Sequence, residues 1–233
     1  MVYNFLKDSI PNDHCRQTRA IQIFDTYNQK RAHWPLTILD FGCGAGNSID
    51  VFSSKGPYAS WTGVDIEISP EVAARNRSGP QFVTYDGITL PFPDNHFDLV
   101  FSNQVFEHVR HPEKVLNEIR RVLTSGGLFI AQTSQLEPYH SYSVWNYTVY
   151  GFKTICKDAG LNMIEVRPAI DGITLIQRSL NRNAPEYNKW FAEESPINTE
   201  IEAKARDEGL SVELINYRKL MYCGQFSFAC EKM

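Results

Sequence analysis

The chain has 233 residues with 42% hydrophobic and 21% charged side chains, enough for one sizeable α/β domain with its own core and too apolar for a disordered protein. No apolar run approaches the length of a membrane span, so no membrane partner is expected. The net charge of −4 and the few short basic clusters (Arg120-Arg121, with Arg75 and Arg77 scattered) argue against a nucleic-acid partner, whose phosphates need a basic surface.

The opening stretch, "MVYNFLKDSIPNDH", shows no basic region ahead of an apolar one, which leads to the expectation of a cytoplasmic protein. Residues 13–30 place Ala20, Ile21, Phe24 and Tyr27 on one helical face, with Asn12 or Asp13 as cap. Pro35 closes a short loop, and "LTILDF" (36–41) reads as a strand ending near Asp40. Three glycines follow, then a helix-compatible "NSIDVFSSK" ended by Gly56-Pro57. A second strand, "SWTGVDI", ends in Asp65, and Ser69-Pro70 predicts a cap and first-turn proline for a short helix through Arg75.

The alternation continues with strands at "QFVTY", "FDLVFSN", "GGLFIAQTS" and "LNMIEVRP", and helices at "HPEKVLNEIRRVL" and "VYGFKTICKDAG". Strands alternating with helices mean βαβ units, hence a mainly parallel sheet with helices on both faces. Past Pro168 the rhythm fails: residues 182–221 are polar, with helix-like stretches near "NTEIEAKARDEG" and "SVELINYRKLM", and "CGQFSFACE" reads as a closing strand. In such open sheets ligands bind at the carboxyl ends of the strands. The residues of interest all sit there: Asp40 to Gly46, Asp65, Asp86, Asn103 to His108, and 133–150.

Cys15, Cys43, Cys156, Cys223 and Cys230 are odd in number and form no C-x-x-C pair, so they read as reduced thiols. His108 and His111 have no third ligand at metal spacing, and no metal is expected.

The glycine loop, "DFGCGAGN", differs from the dinucleotide fingerprint. Gly42, Gly44 and Gly46 are spaced G-x-G-x-G, and Asn47 stands where a last dinucleotide glycine belongs. Bare backbone permits close approach of a ligand. Asp40, directly before the glycines, suits a cationic ligand and opposes a phosphate. Asp65, about 20 residues on, is placed to accept hydrogen bonds from both hydroxyls of a ribose.

With these residues the sequence resembles the class I S-adenosylmethionine-dependent methyltransferases of the small-molecule type. "LDFGCGAGN" matches that family's D/E-x-G-x-G-x-G motif, "GVDIE" its ribose-binding acid, and "YDG" the acid that contacts the adenine amino group. The similarity covers about residues 36–167. It implies a Rossmann-like, seven-stranded, mainly parallel sheet with an antiparallel last strand, and S-adenosylmethionine as cofactor. Asp40, Gly42, Cys43, Gly44, Gly46, Asp65, Ile66, Asp86, Gly87 and Asn103 would then bind the cofactor.

One methyltransferase domain is expected, with 1–35 as a helical cap, 36–167 as the cofactor-binding core, 168–221 as a variable insertion and 222–233 as the final strand. Its partner would be a small-molecule substrate; the oligomeric state is open. The chemistry would be transfer to an oxygen or nitrogen, with a sugar or glycan precursor as one acceptor class. C-methylation of a quinone-like or lipid acceptor, a non-catalytic cofactor-binding domain, and a nicotinamide oxidoreductase are the rivals, the last opposed by Asn47 and Asp40. His108 and His140 are the candidate general bases. Each could instead serve packing or loop geometry, as could Asn103. The aromatic stretch "EPYHSYSVWNYTVYGF" could cap the acceptor site and exclude water.

Overall fold

The computed structural model describes residues 2–30, 36–56, 58–79 and 81–233. Pro35 and Pro57, expected to punctuate loops, lie outside the described residues. The elements run α1 (Val2–Leu6), α2 (Ala20–Lys30), β1 (Leu36–Phe41), α3 (Ser48–Ser53), β2 (Tyr58–Ile66), α4 (Pro70–Ala73), β3 (Phe82–Tyr85) and β4 (Phe97–Asn103). They continue with α5 (Pro112–Val122), β5 (Leu123–Ser134), α6 (Val149–Asp158), β6 (Leu161–Pro168), α7 (Gly172–Leu180), α8 (Pro196–Asp207), α9 (Val212–Tyr222) and β7 (Gln225–Lys232).

One seven-stranded sheet has the order β3-β2-β1-β4-β5-β7-β6. The first five strands pair in parallel, and β7 lies antiparallel between β5 and β6. The strand order reverses between β1 and β4, which is where an open sheet leaves a crevice at its carboxyl ends.

Period-two alternation divides the central strands between two cores. Leu39, Val100, Phe129 and Ala131 face one cluster, where Val115, Leu116, Ile119 and Val122 of α5 and Phe152 and Cys156 of α6 cover them. Ile38, Leu99, Phe101, Leu128 and Ile130 face the other, under Ala20, Ile23 and Phe24 of α2 and Phe52 of α3. The α5 residues recur at helical spacing, which is why one face of that helix is wholly buried. Ser69 caps α4 as expected, its Oγ accepting from Val72 N at 3.0 Å.

Two expectations need correction. The leading helix starts at Ala20 rather than near residue 13. Asp13 does not cap it: both its oxygens accept from Arg167 Nη2 at 2.9 Å, an ion pair with a β6 side chain that tethers the segment before α2 to the sheet. The region after Pro168 contains an unforeseen helix, α7, capped by buried Asp171, whose oxygens accept from Thr174 N (2.7 Å) and Thr174 Oγ1 (2.8 Å).

The polar stretch that follows is not a solvated strand of surface. Lys219 is fully buried, and its ammonium donates to Cys15 O (2.5 Å), Glu194 (2.6 Å) and Glu202 (2.8 Å). Gln17 ties the same region to the N-terminal segment, donating to Trp190 O and accepting from Ser195 N and Asn198. No described helix is long and apolar enough to cross a membrane.

Candidate active site

The glycine loop leaves β1 and is braced by the acid that ends β2. Asp65 Oδ2 accepts from Gly44 N at 2.7 Å and Oδ1 from Ile66 N at 2.8 Å. A carboxylate offers about four acceptor positions, so two remain for a ligand's hydroxyls. Gly42 has φ of +75°, and a Cβ there would collide with the Val105 side chain. Gly46, at φ +78°, would place a Cβ 2.7 Å from the Phe82 ring.

Arg75, which sequence reasoning passed over, closes the loop from outside. Its Nε donates to Gly44 O at 2.7 Å, and its guanidinium lies 4.4 Å from the centre of the Phe82 ring. Its Nη2 also reaches Cys43 Sγ at 3.5 Å. Burial pushes the Cys43 thiol up to about 12, so it is a packing group and no nucleophile.

Asp40 is 4% exposed and accepts from Ser48 Oγ, which in turn accepts from Trp61 Nε1 at 3.1 Å. Burial pushes its carboxyl up to about 7, with Ser48 opposing and Asp65 reinforcing that rise. Burial also raises Asp65, against the two backbone donors. A pair of desolvated acids flanking bare backbone is costly unless a cationic or hydroxyl-bearing ligand is meant to meet it. The loop therefore offers two desolvated acids beside bare backbone, a setting that suits a ligand carrying hydroxyls and a positive charge.

Asp86 is exposed and turns its Oδ1 to Ile88 N (2.8 Å) and Thr89 N (2.6 Å), bonds that hold its carboxyl below the usual range. Gly87 beside it has φ of +87° with open space where a Cβ would go. Ile66 is 41% exposed beside the loop.

Beyond β4 the chain makes a left-handed turn at Gln104 (φ 56°) and a 3-10 turn over Phe106–His108. That conformation, uncommon outside glycine, turns Glu107 inward until it is fully buried. Its Oε2 accepts from Thr133 Oγ1 at 2.9 Å, while Oε1 has no hydrogen-bond partner. Oε1 lies 4.0 Å from His108 Nε2 and 3.8 Å from His140 Nε2, and the two imidazoles meet edge to face at 5.3 Å. Burial raises the Glu107 carboxyl to about 7 and lowers His108.

The structure thus brings His108 and His140 together, and adds Glu107 as the residue that joins them. The adjacency "EH" was the only sequence signal for it.

Asn103 faces a cavity of about 290 Å³ with Arg19, Gln104, Gln132, Ile170, Phe191 and Gln225 among its walls. The glutamines form one network: Gln132 Nε2 donates to Gln225 Oε1 (2.7 Å), and Gln225 Nε2 donates to Gln104 (2.9 Å) and to Glu137 (2.9 Å). These wall residues gave no motif, since their amides meet only through strand pairing and the turn at Gln104. The aromatic stretch divides. Tyr139 and Tyr142 are exposed, whereas Phe152 is core and Tyr147 packs on it at 4.9 Å. His111, the other half of the i, i+3 pair, is the N-cap residue of α5 and takes no part in the cluster.

Comparison with known proteins agrees with this geometry. Residues 39–131 match the family described as "Methyltransferase domain". An uncharacterized methyltransferase of Mycolicibacterium vanbaalenii is 33% identical over 113 residues, which are 47% of this chain and 40% of the relative. A fatty-acid O-methyltransferase of Mycolicibacterium smegmatis is 26% identical over 191 residues, 80% of this chain and 66% of the relative. The chain thus covers well under two thirds of the first of these relatives. Among solved structures, a putative sarcosine dimethylglycine methyltransferase from Galdieria sulphuraria superimposes with a TM-score of 0.56 at 16% identity, over 90% of this chain and 83% of that one. Over residues 39–131 the chain is thus similar to a methyltransferase domain, and its sheet has the fold of the solved S-adenosylmethionine-dependent methyltransferases on which it superimposes.

Proposed function

We propose that this protein transfers the methyl group of S-adenosylmethionine to an oxygen or nitrogen of a small molecule. The observation that carries the reading is a juxtaposition. Gly42 of the acid-flanked loop packs against Val105, which stands in the chain between Gln104 of the amide-lined cavity and Glu107 of the Glu107–His108–His140 cluster. When bound, the cofactor supplies a methyl carbon on a sulfonium, open to in-line attack.

Asp65 would hold the ribose through its free acceptor positions, and Asp40 would face the cationic end. Asp86 would meet the adenine amino group, while Ile66 and the bare glycines would let the ligand lie close. Asn103, Gln104 and Gln132 would orient the acceptor, and alignment of two reactants can remove about 7–11 kcal/mol of a barrier. Arg19 at the cavity wall suits an acceptor that carries a carboxylate or other anionic group, in keeping with the fatty-acid O-methyltransferase relative. The same polar walls suit a sugar or glycan precursor, and they disfavour a quinone-like or lipid ring as the group inserted here.

Transfer to an oxygen or nitrogen would require the acceptor to give up its proton. In the ion-free protein His108, whose pKa burial lowers, and His140 would take it. Calorimetry with S-adenosylhomocysteine, followed by labelled-methyl transfer to a panel of hydroxy acids, fatty acids, sugars and amines, tests the reading. Binding of NADH without S-adenosylhomocysteine would refute it.

A further inference from the structure

We propose that Glu107, His108 and His140 form a binding site for one divalent transition cation of the Zn²⁺ or Co²⁺ kind. Their ligand atoms all lie within 4.8 Å of one another. Glu107 Oε1 stands 4.0 Å from His108 Nε2 and 3.8 Å from His140 Nε2. These separations are too long for hydrogen bonds. They are close to the spacing of atoms that share a central ion, since ligands about 2.0–2.1 Å from a tetrahedral zinc are roughly 3.4 Å apart. Each carboxylate–imidazole separation exceeds that spacing by only about 0.4–0.6 Å.

The independent observation is the orphaned oxygen. Glu107 is fully buried, one oxygen is engaged by Thr133, and the other faces the two imidazoles with no donor. A buried carboxylate oxygen left without a partner is expensive. An ordinary ion pair would have closed to hydrogen-bond distance with one histidine. Instead the oxygen is nearly equidistant from both, and a cation between the three satisfies it.

The cluster is also held in place rather than assembled by chance from mobile side chains. Glu107 and His108 sit on the turn after β4, and His140 arrives on the segment after β5. Val144 N (2.6 Å) and Trp145 N (3.0 Å) donate to Glu107 O, Trp145 Nε1 to Val109 O (2.9 Å) and Tyr147 OH to Phe106 O (3.1 Å). Behind His140, its Nδ1 is buried without a hydrogen bond, and Glu137 Oε1 lies 3.8 Å away. Glu137 is itself fixed by Ser134 Oγ (2.6 Å) and Gln225 Nε2. At that distance no hydrogen bond is made, but a carboxylate behind the imidazole is the partner that would orient the ring and set its tautomer once the two close.

The donor set selects the ion. Two imidazoles and one carboxylate suit zinc, cobalt, nickel or ferrous iron; magnesium and calcium prefer oxygen ligands throughout. The His108 and His140 side chains are 30% and 40% exposed, so a cation could enter and keep coordination positions open to the cleft. There it would replace the histidines as the activating group, binding an acceptor oxygen and acidifying it so that its proton leaves to water, a role that rests on the methyl transfer proposed above; cation binding itself does not.

The test uses the full chain after chelator treatment, titrated with Zn²⁺ by calorimetry and with Co²⁺ by visible absorption. One equivalent of either ion is expected, with the intense ligand-field band of a low-coordinate cobalt site. Glu107→Gln and His140→Ala should each weaken binding more than about tenfold, and His111→Ala should leave it unchanged. Thermal melts establish that each variant folds, and His140→Ala, at a half-exposed position, carries the test if Glu107→Gln does not. No stoichiometric binding, or binding that survives His140→Ala, would overturn the proposal. S-adenosylhomocysteine titrated into the same sample separates the two readings. Its binding without that of metal overturns this site alone; metal binding without it supports this site and removes the methyltransferase reading.

Discussion

Replacing Asp40 by asparagine should make the ligand-free protein more stable and the ligand-bound protein less so. Burial raises the Asp40 carboxyl from 3.8 to about 7. At about 1.4 kcal/mol per pH unit, keeping it ionised above pH 7 costs roughly 4 kcal/mol as an upper bound, which water entering the loop will reduce. The sign follows from proton counting. Between pH 4 and 7 the folded state holds a proton that the unfolded chain has lost, so stability falls as pH rises through that window and is flat above it. The amide of the Asp40→Asn variant cannot titrate and still accepts from Ser48 Oγ. Urea unfolding at pH 5 and pH 8 should show the wild type losing about 1–3 kcal/mol more than the variant between the two. Ligand reverses the order: S-adenosylhomocysteine at a hundred times its dissociation constant stabilises the wild type by about 2.7 kcal/mol, and should stabilise the variant by much less. A variant with the same pH slope and the same ligand-induced shift as wild type would refute the assignment of Asp40 as a buried charge kept for the cofactor.

Asp65→Ala removes both the ribose acceptor and the brace on Gly44 N, and should weaken S-adenosylhomocysteine by at least about tenfold in calorimetry; equal affinity would remove Asp65 from the site. Gly46→Ala combines a left-handed φ with a clash against Phe82 and should lower stability by about 1–3 kcal/mol in urea titrations, with loss of cofactor binding. Lys219→Ala leaves Glu194, Glu202 and Cys15 O without their shared donor; a loss of about 2–4 kcal/mol is expected, and a change under about 0.5 kcal/mol would mean that water replaces the ammonium freely.

The elements that sequence reading placed well are those whose evidence is local. The strands from "LTILDF" to "LNMIEVRP" alternate or run apolar over their own length, and Ser69-Pro70 carries its cap within three residues. The elements it missed depend on distant partners. The helical pattern of Ala20, Ile21, Phe24 and Tyr27 extends no further back than Ala20, because Asp13, the Cys15 carbonyl and Gln17 are bonded to Arg167, Lys219 and Ser195. The segment after Pro168 looked solvated because it is polar, but Asn198, Asn216 and Lys219 are buried and paired across the fold. Polarity predicts exposure only where no partner is waiting.

The same distinction divides the site. Asp40, the glycines and Asp65 were legible because a strand end fixes where a side chain points, and two parallel neighbours put their carboxyl ends side by side. The histidines were legible as chemistry but not as a constellation. His108 and His140 are separated by a helix and a strand, and what unites them is a fully buried carboxylate between two loops. That burial has no sequence signature, since a glutamate after a strand is usually a solvated one. It arises because the left-handed turn at Gln104 and the carbonyl of Glu107, capped by Val144 N and Trp145 N, rotate the side chain away from water. A side chain positioned this way owes its place to backbone hydrogen bonds and keeps one carboxylate oxygen without a protein donor, which is why the group least visible in the sequence is the one on which the proposed cation site depends.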